Sequence, residues 1–211
     1  MHARLLRPAL TAGLLGVLAT AGLAGAAPAP VCKLVNDVKG DGTGFLFTDA
    51  DYLPNDPNLD LISGDIATSG KLITAVIRTD ELALSDSNSP TGRAYYANFM
   101  VGGAQLFLSA ALDGAGAASF SGGFTETRRT SLGEATGVVD PAKKEVRITA
   151  PVSLFAEKAA IKDGVKILDL NLLAQRYVGQ RGVGGVTPST DEALGGKTYT
   201  AGAKSCVVVG K

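Results

Sequence analysis

Apolar residues alternate with a period of two along most of this 211-residue chain, and Gly, Pro, Asp and Asn interrupt the alternation roughly every ten positions. Period two is the spacing at which the side chains of an extended strand return to one face. In residues 71–78 both faces are apolar (Leu72, Ile73, Ala75, Val76, Ile77), as a central strand of a sandwich requires. Tyr95, Ala97, Phe99 and Val101 alternate next, and Gly102-Gly103 turns the chain into 105–112. Residues 119–124 and 125–131 read as a further pair of strands. Asp140-Pro141 opens the clearest hairpin, with arms at 137–139 and 145–149. Shorter strands are expected at 44–48, 60–63, 198–200 and 205–209, and one or two helical turns within 153–162. Residues 167–178 fit a helical stripe (Leu170, Leu173, Ala174, Tyr177) and a strand face (Leu168, Leu170, Leu172); their β surroundings favour the strand. Six glycines make 179–197 read as a long loop. The expected fold is all-β, an antiparallel β-sandwich of jelly-roll or immunoglobulin-like type.

The first residues add a targeting expectation. Arg4 and Arg7 precede an apolar stretch centred on 14–18, which closes on Ala24-Gly25-Ala26. A basic start, a short apolar core and an A-x-A step are the parts of a Sec-type signal peptide. Residues 1–26 are therefore expected to direct a bacterial protein to the outside, leaving 27–211 as a single sandwich domain with no membrane attachment. Loss of Arg4 and Arg7 leaves the acidic residues two in excess of the basic ones, and no basic stripe is present, so nucleic acid is not an expected partner.

Export also constrains the chemistry. The one histidine, His2, belongs to the signal peptide. Without histidine the remaining chain cannot build a Ser-His-Asp or Cys-His triad or a histidine-ligated metal site. Cys32 and Cys206 are an even pair near the two ends of the exported part, and an oxidising compartment makes them a disulfide.

Seven of the fourteen aspartates (Asp37, Asp41, Asp49, Asp51, Asp56, Asp60, Asp65) fall within residues 37–65, where Lys39 is the one positive charge. Clustered Asp and Asn oxygens in loops suit a hard cation such as calcium. They are equally the residues of ordinary turns. An EF-hand is excluded, because its third and twelfth positions would be Lys39 and Thr48.

The succession NDVKGDGTG, NDPNLDLISGDIATSGKLITAVIRTDEL and TGRAYYANFMVGGAQLFLSA carries a resemblance over roughly residues 36–175. It resembles secreted bacterial β-sandwich domains that are distantly similar to the DOMON-like and family 9 carbohydrate-binding modules. The resemblance implies that Asp-rich turns supply metal ligands, here Asp37, Asp41, Asp60 and Asp65, with calcium as the cofactor. The chain departs from those modules in having no tryptophan, and with Met100 alone remaining and no histidine it lacks their haem ligands.

Three functions are weighed. The first is a secreted, non-catalytic binding module whose partner is an extracellular glycan or protein, with Tyr52, Tyr95 and Tyr96 as the candidate ligand surface. The second is a glycoside hydrolase working with carboxylates alone, for which Glu126 and Glu134 are the pair to examine. The third is a structural protein or protease-associated inhibitory partner using the 179–197 loop. No residue is assigned a catalytic role.

Overall fold

The computed structural model describes residues 32–42, 44–45, 52–53, 55–85, 92–176 and 189–210. The expected signal peptide, and the part of the expected loop between 179 and 188, lie outside them. Strands run in chain order as β1 (Val35–Asn36), β2 (Gly44–Phe45), β3 (Tyr52–Leu53), β4 (Leu61–Ser69), β5 (Leu72–Thr79), β6 (Arg93–Val101), β7 (Ala104–Leu112), β8 (Ala118–Thr125), β9 (Arg129–Glu134), β10 (Thr136–Asp140), β11 (Glu145–Pro151), β12 (Lys166–Arg176), β13 (Ser189–Ala193) and β14 (Tyr199–Thr200). One 3-10 turn, Val152–Phe155, is the helical element among the described residues.

The strands form two antiparallel sheets packed face to face. One has the order β1-β4-β5-β11-β10; the other runs β13-β12-β6-β7-β8-β9, with β14 paired to the start of β12, and β2 and β3 form a separate two-stranded ribbon. Alternation sorts the side chains. Ile66, Ile77 and Ile148 of the smaller sheet meet Tyr95, Phe99, Leu108 and Leu172 of the larger in one apolar core. The sheets approach so closely at Gly64 that a Cβ there would lie 2.7 Å from a Leu172 methyl. Phe155, delivered by the 3-10 turn, is fully buried and packs edge-to-face on Phe99 at 5.9 Å.

Both long edges of the sandwich are stitched. At one, Ala135 alone separates β9 from β10, so the chain passes directly from the larger sheet to the smaller, and its N–H donates to the Phe120 carbonyl at 3.1 Å. At the other, the Leu61 N–H at the start of β4 donates to the Asp191 carboxylate of β13 at 2.6 Å.

The terminal segments lie over the outside of the smaller sheet. The Leu34 N–H donates to Asp65, the Gly210 N–H to Thr74 Oγ1, and Arg147 donates to the Val208 carbonyl. Cys32 and Cys206 form the expected disulfide, with Cα atoms 5.4 Å apart. Residues 201–210 run as turns with a single bridge residue at Ser205, not as the strand expected at 205–209. Where they cross the sheet, whose own strands already satisfy one another, the Val208 carbonyl and the Gly210 N–H bond to side chains instead.

Two further expectations change. The 189–193 part of the glycine-rich segment pairs with β12 as β13, because its Ser-Thr-Asp-Glu-Ala stretch contains none of the glycines. The described part of the ambiguous segment, up to Arg176, is the expected strand, but an irregularity between Leu168 and Asn171 shifts its register. Ile167, Leu170, Leu172 and Ala174 therefore face the core, while Leu168 points outward and is 36 % exposed.

Candidate functional site

Three aspartates of the acidic segment, Asp37, Asp41 and Asp60, converge on the β1/β4/β13 edge, while Asp49 and Asp51 lie outside the described residues. After β1 the chain turns back over the start of β4, held by the Asp37 N–H to the Ile62 carbonyl and the Asp56 N–H to the Gly42 carbonyl. Gly42 is needed at this approach, since a Cβ would lie 3.0 Å from the Asp60 Cα. Asp37 and Asp41 on this turn meet Asp191 from β13, with one carboxylate oxygen from each within 4.8 Å of the others. Asp60 reaches up beneath the same turn. Its Oδ2 accepts the Gly40 N–H at 2.8 Å, while its Oδ1 is buried without a hydrogen-bond partner.

The electrostatics match this crowding. Burial, reinforced by Asp37 and Asp41, pushes the Asp191 carboxyl up to about 6, against the bonds it accepts from Leu61 and Glu192. Burial also raises Asp60, with Asp80 and Asp41 adding to the shift and Gly40 and Lys39 opposing it. Asp37 is raised by burial and by Asp41 and Asp60, against the N–H of Val38. Lys39 is drawn aside to Asp80 at 2.7 Å and stays two-thirds exposed.

Asp65, the fourth aspartate of the expected set, lies elsewhere. Its carboxylate takes Arg78 at 2.7 Å and the Leu34 N–H, on the outer face of the smaller sheet. Asp191 takes its place in the cluster. No sequence signal flagged it, being 126 residues beyond Asp65 within a segment read as loop.

The tyrosines separate by strand parity. Tyr95 is fully buried in the core and its hydroxyl donates to the Asn58 carbonyl at 2.7 Å, so it offers no ligand surface. Tyr96 points the opposite way, onto the outer face of the larger sheet, where it too is buried, beneath Arg129 and against Phe107. The Tyr52 side chain lies outside the described part.

That outer face carries a second small cluster, Ala94, Tyr96, Phe107, Ala111 and Leu173. Tyr96 packs edge-to-face on Phe107 at 6.1 Å, and the Arg129 guanidinium sits 4.3 Å above the Tyr96 ring. Arg129 belongs to β9, three strands from β6, a separation of about 14 Å across a flat sheet. Their contact means that the sheet curls and this face is concave. In the hollow is a cleft of about 210 Å³ bordered by Asn98, Gln105, Arg129, Asp169, Asn171 and Glu192, drawn from strands at both ends of the sheet. Asp169 sits at the irregularity in β12 with φ of 49°, a left-handed conformation that turns one extra residue toward the cleft.

The carboxylate pair Glu126 and Glu134 is not assembled. Thr125 pairs with Arg129 and Ser121 with Glu134, so the two glutamates flank opposite ends of the β8/β9 hairpin, about 13 Å or more apart. Glu126 is bound to Lys158 at 3.2 Å. The cleft instead brings together Asp169 and Glu192, which period and composition did not single out.

Comparison with protein-family models and with curated proteins gives no match. Among solved structures, the chain is similar to a candidate carbohydrate-binding protein from Bacteroides uniformis, at 14% identity and a TM-score of 0.38, over 76% of this chain and 85% of that one. Among the described residues no helix is long and apolar enough to cross a membrane.

Proposed function

We propose that this chain is a secreted, non-catalytic binding module that takes an extracellular glycan in the concave outer face of its larger sheet. One observation carries the reading: the cleft there gathers amides (Asn98, Gln105, Asn171), a guanidinium (Arg129) and two carboxylates (Asp169, Glu192). Sugar hydroxyls both donate and accept, and amides answer both needs, while carboxylates and guanidinium fix neighbouring hydroxyl pairs. The export signal expected at 1–26 and the disulfide fit an extracellular setting.

A glycan array followed by titration calorimetry on the best ligand tests this. Binding is expected, weakened about tenfold by Asn98→Ala or Asn171→Ala, each of which removes hydrogen bonds worth about 1–1.5 kcal/mol. The melting temperature of both variants should stay near that of the parent, since neither side chain is in the core. An array without hits at high protein concentration, or full affinity in both variants, overturns the glycan reading. A second reading, carboxylate-only hydrolysis, is favoured by Asp169 and Glu192 sharing one cleft. Release of reducing ends from a bound polysaccharide, lost in Glu192→Gln, would move the assignment to it.

A further inference from the structure

We infer that Asp37, Asp41 and Asp191 form a calcium site, with the buried Asp60 carboxylate next to it, that clamps β13 to the turn following β1. The inference rests on three observations. Oxygens that share a calcium ion at about 2.4 Å lie within about 4.8 Å of one another, and one oxygen each of Asp37, Asp41 and Asp191 meets that limit. Beneath them Asp60 is fully buried, with its Oδ1 lacking any donor. Its other oxygen is bound to Gly40, which places the carboxylate inside the turn that Asp37 and Asp41 bracket. Finally, positive charge is scarce here: the Lys39 ammonium is turned to Asp80.

An unpartnered buried carboxylate oxygen is costly, and ordinary turn chemistry does not call for one. A cation held by Asp37, Asp41 and Asp191 offsets the negative charge crowded around that carboxylate. The donor set selects the cation. It is all oxygen; the two cysteines are joined in the disulfide and the single histidine is at position 2, so soft and borderline metals find no preferred ligand. Calcium tolerates irregular arrangements of six to eight oxygens and so accepts carboxylates from separate turns, with water completing the shell; magnesium demands a tighter octahedron.

The site would do more than stabilise. Asp191 and Glu192 are consecutive in β13 and face opposite ways, the first into the acidic edge and the second into the cleft. Holding Asp191 therefore holds Glu192 at the rim of the ligand face. This last link rests on the glycan reading; the metal site itself does not.

The test uses the exported chain, freed of metal by chelator and titrated with calcium or magnesium chloride while heat and melting temperature are followed. One calcium is expected per chain, with a melting temperature raised by about 5–10 °C at a hundredfold excess over the dissociation constant, and a smaller rise with magnesium. Asp41→Asn changes an exposed side chain and should leave folding intact while abolishing most of the rise. Asp140→Asn, in the distant β10/β11 turn, should keep it. No heat and no rise at about 10 mM calcium, well above the range of weak extracellular sites, overturns the inference. So does an equal response of Asp41→Asn and the parent, which would mark general charge screening. Neither outcome touches glycan binding, which is read separately on the array.

Discussion

The Leu61 N–H and the Asp191 Oδ2 lie 2.6 Å apart although 130 residues separate them in the chain. This bond joins the first residue of β4 to the outermost strand of the larger sheet, with both partners buried. Replacing Asp191 by Ala leaves the Leu61 donor without its acceptor, a loss of about 1–3 kcal/mol. Urea unfolding in chelator at pH 5, which sets aside both a metal contribution and most of the cost of ionising Asp191, should show a lower midpoint with an unchanged slope.

Asp56 and Arg176 form an ion pair with both side chains almost completely buried. Asp56 also accepts the Asn58 N–H, so it organises the turn that leads into β4. Asp56→Ala removes the carboxylate that faces a buried guanidinium and should cost about 3–5 kcal/mol in chemical denaturation. Substituting Asp140, whose partner Lys143 is largely exposed, should leave the midpoint close to the parent's. Equal effects at the two positions would contradict this distinction between buried and solvated pairs.

What the sequence revealed, and what it hid, follows the range of the interactions involved. The β10/β11 hairpin was readable because Asp140-Pro141 and the β-branched arms act over a few residues, and Asp140 does pair with Glu145. Likewise the two cysteines sufficed to propose the link between terminal segments. The period in β12 was blurred by the irregularity after Leu168, which places Leu168 and Leu170 on opposite faces although two residues apart. Parity predicts that Tyr95 and Tyr96 diverge, but not which one enters the core; that depends on pairing with β7 and β12. The acidic edge shows the limit most clearly. Asp37, Asp41 and Asp60 belong to a visible cluster, whereas Asp191 joins them through sheet order, and Asp65 leaves them because Arg78 lies beside it on the next strand. Curvature of the larger sheet, which creates the cleft, has no local signature in the sequence.

The disulfide closes a loop across 174 positions of sequence. Constraining the unfolded chain at that separation contributes about 5 kcal/mol in the chain-entropy account. Cys32→Ser with Cys206→Ser should lower stability by up to that amount. It should also free the segments on the outside of the smaller sheet, so that proteolysis begins within 201–210 while the larger sheet stays protected. Fragments identified by mass spectrometry give the order of cutting; first cuts in β6 or β7 would contradict it.

The raised carboxyls at the acidic edge set the pH response of the metal-free protein. Asp191 moves from an ordinary value of 3.8 to about 6 on folding, and Asp60 and Asp37 move in the same direction. The folded state therefore holds protons that the unfolded state has released. Below the unfolded value both states are protonated and nothing is lost. Between about pH 4 and pH 6 each step upward strips protons that folding would retain, so stability falls, and above about pH 6 the Asp191 penalty is complete at about 3 kcal/mol or less. Melting in chelator should thus be higher at pH 5 than at pH 7. Asp191→Asn, which keeps the shape and cannot ionise, should flatten that slope. A melting temperature in chelator that climbs from pH 5 to pH 7 would show that these carboxylates are ionised and satisfied within the fold.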